Sequence, residues 1–146
     1  MRLLIKLKAA KQFAYDLRYH HKLQGVIYKT IKETEYASLH DKKGYKFFCF
    51  SNIFPLSRDM IIREGEVKNI LISSPDKFFI KMLRNKLDSQ KIVNIGEMQF
   101  EIQDISQLGV NLNKNTALIS ATPIIIRIPR KRLTARRIFD TFWYIN

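Results

Sequence analysis

The chain opens on a short apolar run with lysines at its far end, RLLIKLK at 2–8, which predicts a first strand. The pattern changes at residue 20. Over HHKLQGVIYKTIKE, residues 20–33, Leu23, Val26, Ile27, Thr30 and Ile31 follow the 3, 4, 7, 8 spacing of one buried helical stripe. Thr34 is placed to cap a short second helical turn through EYASLH, because its hydroxyl can accept from amides that the turn leaves free. A charged turn, DKKG at 41–44, leads into YKFFCFSNIF at 45–54, a strand by its aromatic content. PLSRDMIIREGE reads as a loop, and VKNILISS at 67–74 as the next strand. A Ser-Pro start, with Pro75 at or near the first helical position, opens a second helix. Its apolar face holds Phe78 or Phe79, Met82, Leu83 and Leu87. IVNIGEMQFEIQDI at 92–105 reads as a hairpin or a bent strand around Gly96. NTALISATPIIIRI at 115–128 is one more strand, interrupted at Pro123; proline cannot donate to a ladder, which places it at an edge or a crossing between subdomains.

In order these elements give β-α-β-β-α-β, the ferredoxin-like (RRM-like) arrangement of the α+β class, with helices covering one face of an antiparallel sheet. At 146 residues the chain is long enough for one ordinary domain and its core, and too short for two large ones. The expected organisation is a ferredoxin-like domain over 1–114, then 115–146 as the start of a second domain or a basic tail. Hydrophobic residues at 46% and charged residues at 27% describe a globular composition. The longest apolar run, ALISATPIII at 117–126, falls short of the ~18–20 residues that span a bilayer. MRLLIKLKAAK is too often broken by lysine for a signal peptide, so no membrane is expected and the cytoplasm is the default. Cys49 sits among phenylalanines and is expected as core filler in a reducing compartment.

Charge alters this picture. Lys plus Arg is 26 against 13 for Asp plus Glu, a net +13. Residues 1–46 carry +7, residues 47–126 +1, and the last twenty +5. A nearly neutral middle between basic ends implies a directed positive surface, whose usual partner is a polyanion, most often nucleic acid. A solvated basic face is the plainer alternative. Lys43-Gly44-Tyr45-Lys46-Phe47-Phe48-Cys49-Phe50 matches five of the seven constrained positions of the RNP1 signature, which would stack bases on Tyr45 and Phe47. Its position argues against that role: the octet directly follows the first helix, and the first strand offers no aromatic as a second platform. Phe48, Phe50 and Phe54 are more simply core residues, with Phe47 on the other face.

Other residues around that strand carry chemistry. Tyr28 lies off the apolar stripe among His21, Gln24 and Lys32, which leaves its phenol on the polar side. His40 ends the helical region, and a turn at Gly44 can return Lys46 towards it. A histidine, a phenol and an ammonium are a complete set for cutting RNA without a metal: one group takes the proton of the 2′-hydroxyl, another protonates the departing 5′-oxygen, and the lysine stabilises the charged phosphate. An ordinary surface tyrosine and an accidental trio are the competing reading. His20 and His21 are adjacent, point about 100° apart on a helix and have no cysteine or carboxylate cluster beside them, so no metal site and no cofactor are expected.

Three stretches taken together are more specific. HHKLQGVIYKTI, then SLHDKKGYKFFCFSN, then ILISSPDKFFIKML resemble the N-terminal half of the CRISPR-associated endoribonucleases that process repeat RNA, the sixth Cas family, whose members carry two ferredoxin-like domains. The motif on the first helix stands here as Leu23-Gln24-Gly25-Val26-Ile27-Tyr28, and that before the second strand as Leu39-His40-Asp41-Lys42-Lys43-Gly44-Tyr45-Lys46. ISATPIII at 119–126 is similar to the family's passage into its second domain, so the likeness covers roughly residues 1–128. The resemblance implies that Tyr28, His40 and Lys46 occupy the positions of metal-independent cleavage, leaving a 5′-hydroxyl and a 2′,3′-cyclic phosphate. It implies a precursor CRISPR transcript as substrate and other Cas proteins as further partners. His21, Lys22, Lys42, Lys43, Arg127, Arg130, Lys131 and Arg132 are the candidates for holding RNA.

The sequence also departs from the family. The second domain should bring a glycine-rich RNA-holding loop, whereas this chain has five glycines in all and its segment from Arg130 does not match. A truncated second domain is therefore expected, with weak or absent cleavage and salt-sensitive RNA binding. The alternatives are a non-catalytic RNA-binding module, and a half-domain that pairs two chains through Ile138, Phe139, Phe142 and Trp143, for which a simple core helix is the plainer account.

Overall fold

The computed structural model describes residues 1–109. Its elements, in chain order, are β1 (Arg2–Ala9), β2 (Phe13–Ala14), α1 (His20–Ile31), a 3-10 turn (Ala37–Leu39), β3 (Cys49–Phe50), β4 (Ile61–Ile62), β5 (Val67–Ser73), α2 (Lys77–Asp88), β6 (Ile92–Ile95) and β7 (Met98–Leu108). Leu3, Ile5, Leu7 and Ala9 of β1 are buried and the residues between them are not, so the strand turns every second side chain into the core. β5 repeats the alternation with Lys68, Ile70 and Ile72 inward. The two strands pair antiparallel from Arg2 against Ser73 to Lys8 against Val67.

β1 is central. The main sheet runs β3-β5-β1-β7-β6, with every neighbouring pair antiparallel. Taking β1, α1, β3, β5, α2 and β7 as the six principal elements gives the β-α-β-β-α-β order and the ferredoxin-like strand arrangement. β6 adds an edge strand, joined to β7 by a tight turn at Gly96, whose φ of +65° suits glycine. The pairing of β1 with β7 shifts register between Lys6 and Leu7, so Gln103 is an extra residue in β7.

Both helices lie across one face. From α1, Leu23, Ile27, Thr30 and Ile31 are buried; from α2, Phe79, Ile80, Leu83 and Leu87. They meet Ile5, Leu7, Ile70, Ile72, Val93, Ile95 and Phe100 of the sheet in one cluster. Each such side chain contributes roughly 1.5–3 kcal/mol over an exposed one. Met82 packs at the margin of the cluster, and Phe78 is exposed. α2 begins at Asp76 and not at the proline: the Asp76 carboxylate accepts from the amides of Phe78 and Phe79, satisfying two donors that a helix start leaves free.

Several sequence expectations change. The aromatic run is not one continuous strand over 45–54: Cys49–Phe50 pairs with β5 and Phe54 meets Asn69 of β5 in an isolated bridge, while Gly44 and Phe47 both have left-handed backbone conformations that keep Tyr45–Phe48 out of the ladder. Phe48 and Phe50 pack against the core, but Phe54 is exposed, and Ile53 fills the interior in its place. Cys49 is exposed and does not fill the core. The segment read as a loop after Pro55 contains β4, which pairs with β2 as a second, two-stranded sheet. Thr34 receives the Tyr36 amide at 3.2 Å and so supports the 3-10 turn. Among the described residues, no helix is long and apolar enough to cross a membrane. The strand expected at 115–128, the basic and aromatic tail, and Arg127, Arg130, Lys131 and Arg132 lie outside the described residues.

Candidate functional site

α1, the 3-10 turn and the loop after it converge on one corner. Tyr28 comes from the last turns of α1, four residues after Gln24, whose Nε2 donates to the Tyr28 hydroxyl at 3.1 Å. The phenol ring is half-buried and not simply turned to solvent: it stands edge to face with His40 (ring centroids 5.0 Å apart) and with Phe48 (5.9 Å). Phe48 in turn stacks on Phe79 of α2 at 5.5 Å, and Phe79 meets Tyr36 at 5.2 Å. The Tyr36 hydroxyl donates to Asp76 at 3.0 Å. A continuous run of rings thus mounts Tyr28 on the capped start of α2. Burial first, and the Asp76 carboxylate second, push the Tyr36 phenol up to about 12. The Phe79 amide, chief among its donors, holds the Asp76 carboxyl below its usual range.

His40 follows the 3-10 turn and is largely exposed. Its Nδ1 lies 2.7 Å from Asp41 Oδ1. When Nδ1 carries the ring proton, that carboxylate fixes the tautomer and leaves the Nε2 lone pair for proton transfer. Lys46 returns to the same place because Gly44, at φ +93°, reverses the chain. Its ammonium donates to the carbonyls of Leu39 (2.8 Å), His40 (3.0 Å) and Lys42. The carbonyls of Leu39 and His40 are ones that the 3-10 turn leaves without partners at its C-terminal end, where a cation is favoured; that of Lys42 lies beyond it. The ammonium also sits 5.9 Å from the centre of the Tyr28 ring. The structure therefore brings Tyr28, His40 and Lys46 together, with the lysine directed at the backbone of the histidine's own turn.

The other described candidates divide between this loop and the far end of α1. Lys42 and Lys43 are exposed in this loop, and the Lys42 ammonium lies 4.2 Å from the centre of the Phe47 ring. His21 and Lys22 stand at the opposite end of α1, about 10 Å along the helix from Tyr28 by its rise per residue. Lys22 is engaged: it pairs with Asp16 at 2.7 Å and lies across Gly96. That ammonium, first among the causes, holds the Asp16 carboxyl low. His20 faces Asn52, with Nε2 2.9 Å from its side-chain oxygen, and stacks on Tyr19. Sequence reasoning missed two supports of the site. Gln24 is legible from its i, i+4 spacing to Tyr28; Asp41 adjoins His40 but carries no signal of its own.

Comparison with known proteins bears on the family and the fold. Residues 14–106, more than half of the chain, match the family described as CRISPR-associated protein Cas6, N-terminal. A CRISPR-associated endoribonuclease Cas6 from Methanocaldococcus jannaschii is 34% identical over 140 residues, covering 96% of this chain and 56% of its own. Another, from Haloferax mediterranei, is 31% identical over 151 residues, covering 98% of this chain and 55% of its own. The chain thus spans about half the length of these relatives. Solved structures share the fold. The product of a Cas6-related gene from Pyrococcus furiosus superposes with a TM-score of 0.62 at 23% identity, over 79% of this chain and 50% of that one. A CRISPR-associated protein Cas6 gives 0.60 at 21% identity, over 76% and 49%. With this sequence match, fold and arrangement of elements, the chain belongs to the Cas6 family of CRISPR-associated proteins.

Proposed function

We propose that this chain supplies the cleavage centre of an endoribonuclease that processes the repeats of precursor CRISPR RNA, as the names of its relatives suggest. The observation that carries this is the meeting of Tyr28, His40 and Lys46, drawn from three separate segments to one exposed corner. The 2′-hydroxyl at the cut attacks the adjacent phosphorus and the bond to the 5′-oxygen breaks. Tyr28 and His40 divide the two proton transfers, one removing the 2′-hydroxyl proton and the other protonating the departing 5′-oxygen. The positive charge of Lys46 stabilises the pentacoordinate phosphate and, through its three carbonyl partners, fixes the turn that presents His40. The products are a 2′,3′-cyclic phosphate and a 5′-hydroxyl, and no step calls on a metal.

One observation favours a second reading, a module that holds repeat RNA without cutting it: the Lys46 ammonium is already spent on backbone carbonyls. A single experiment separates the two. Labelled repeat RNA is incubated with the protein in EDTA, beside a His40→Ala variant and a substrate with one 2′-deoxy nucleotide at the cut. The nuclease reading expects cleavage that ignores EDTA and disappears with either change, His40→Ala costing about 10²–10⁴ in rate. RNA that is bound and never cut overturns it in favour of the binding module.

A further inference from the structure

Two aromatic rings project from the loop that carries Lys46 without serving the core. Tyr45 is 70% exposed and Phe47 46%, while the next residue, Phe48, turns inward against Tyr28 and Phe79. The backbone makes this reversal. Phe47 has φ +57°, in the left-handed region, which a bulky side chain adopts only where its surroundings hold it there. The buried Ser74 does so, donating from Oγ to the Phe47 carbonyl at 2.6 Å. The two rings meet edge to face at 5.0 Å, and Phe47 borders a cleft of about 190 Å³ formed with Tyr36, Leu39, Pro75 and Phe79 beside Lys46. Three lysines, 42, 43 and 46, share the loop with one acidic residue, Asp41.

We propose that Tyr45 and Phe47 form a stacking platform for an unpaired RNA base next to the cleavage centre, with Lys43 meeting a flanking phosphate and the Lys42 ammonium, which lies over one face of Phe47, leaving it for another. This rests on the RNA reading of the same corner. Exposed aromatic faces interleaved with cations are how proteins hold single strands: every base has a π-face, and the lysines neutralise the backbone between bases. It differs from the RRM arrangement suggested by the same octet, because the rings stand on a loop and not on a central strand. Lys46 stands between the two rings in the chain and lines the same cleft as Phe47, so a base held here brings its neighbouring phosphate to the side of the corner that carries Lys46.

The test uses Tyr45→Ala, Phe47→Asn and Lys43→Ala, with a labelled, unstructured oligouridylate read by fluorescence anisotropy at several salt concentrations. Asparagine tolerates the left-handed conformation, so Phe47→Asn relieves the backbone while removing the ring. Each aromatic variant is expected to bind about fivefold or more weakly, with the salt slope of wild type and no loss of melting temperature. Lys43→Ala should instead lower the slope by about one. If Phe47→Asn melts early, Tyr45→Ala, with its largely exposed ring, decides alone. Wild-type affinity in the decisive variants, with wild-type protein binding and cutting repeat RNA, overturns the platform and leaves the nuclease standing. A wild-type protein with no affinity for RNA overturns platform and nuclease together.

Discussion

Lys68 occupies a position on the core face of β5 that the alternation assigns to an apolar residue, and replacing it tests how a buried charge is carried in this fold. Its side chain is fully buried, and its ammonium donates to the Pro55 carbonyl at 2.6 Å, Ser57 Oγ at 2.9 Å and Glu66 Oε1 at 2.6 Å. Lys68→Met keeps most of the stem and removes all three bonds. All three bonds are charge-assisted, since the donor is an ammonium, and each contributes about 1.5–3 kcal/mol, against which the cost of burying that ammonium is set. Part of this returns. Glu66 is 30% exposed and keeps donors in Ser57 Oγ (3.0 Å) and the Arg63 amide (2.9 Å), so it rehydrates and is not stranded. The net cost should be about 2–3 kcal/mol. Glu66→Gln strands the inaccessible partner, a wholly buried ammonium facing only neutral oxygens, and should cost more, about 3–5 kcal/mol.

The assay is equilibrium unfolding in urea followed by circular dichroism, where losses of this size move the midpoint by about 1 M or more. A pH series adds an independent check. The Lys68 ammonium, ahead of the Arg63 amide, holds the Glu66 carboxyl below its ordinary value of 4.5. A carboxyl depressed in the folded state contributes stability that is fully present above the unfolded value and is lost as pH falls through the folded one. Wild type should therefore lose stability as pH falls below about 4.5, and Lys68→Met should lose less over the same range. Lys68→Met as stable as wild type, or Glu66→Gln milder than Lys68→Met, would refute the assignment of the buried ammonium as the costly partner.

Three further outcomes are expected. Gly96→Ala places a Cβ 2.4 Å from Lys22 Cδ at φ +65°, and should cost about 1–2 kcal/mol in thermal melting; a Lys22→Ala background should relieve the clash and keep the backbone penalty. Asp76→Ala removes the cap of α2 and should cost about 0.5–2 kcal/mol, while spectrophotometric titration finds the Tyr36 phenol lower than about 12 though still raised by burial. Asp41→Asn loosens a solvent-exposed contact to His40; if cleavage occurs, its rate should fall by about fivefold at most with no change in melting temperature, since exposed pairs contribute only about 0–1 kcal/mol.

The periodic elements were legible in the sequence because one-sided burial leaves a period. The stripe of α1 from Leu23 to Ile31 and the run of β5 each follow it. Where propensity stood in for period, the reading failed. Aromatic content alone suggested a ten-residue strand, but Gly44 and Phe47 break the ladder on backbone conformation, which composition does not report. β2 and β4 were invisible because two residues carry no alternation. Lys68 shows the converse: a polar residue in a core position is readable only once Glu66 and the 55–57 loop are known to reach it. At the site, the residue types and the turn at Gly44 were in the sequence. That Lys46 turns its ammonium onto the carbonyls of Leu39, His40 and Lys42 was not, because those acceptors belong to the backbone and leave no mark in residue identity.

Those carbonyls amount to a host whose guest is tethered. Oxygens converging on one small cation are the donor set with which channel filters strip the water from potassium. Here the cation arrives on the end of its own side chain, from a few residues downstream. The corner that presents His40 is thus held by charge as well as by the packing of its ring on Tyr28. Acylating that single amine would evict the guest and unfasten the histidine without altering any atom of His40 or Tyr28. Cutting the side chain short would leave a vacant seat that ammonium or methylammonium in the buffer is chemically suited to refill.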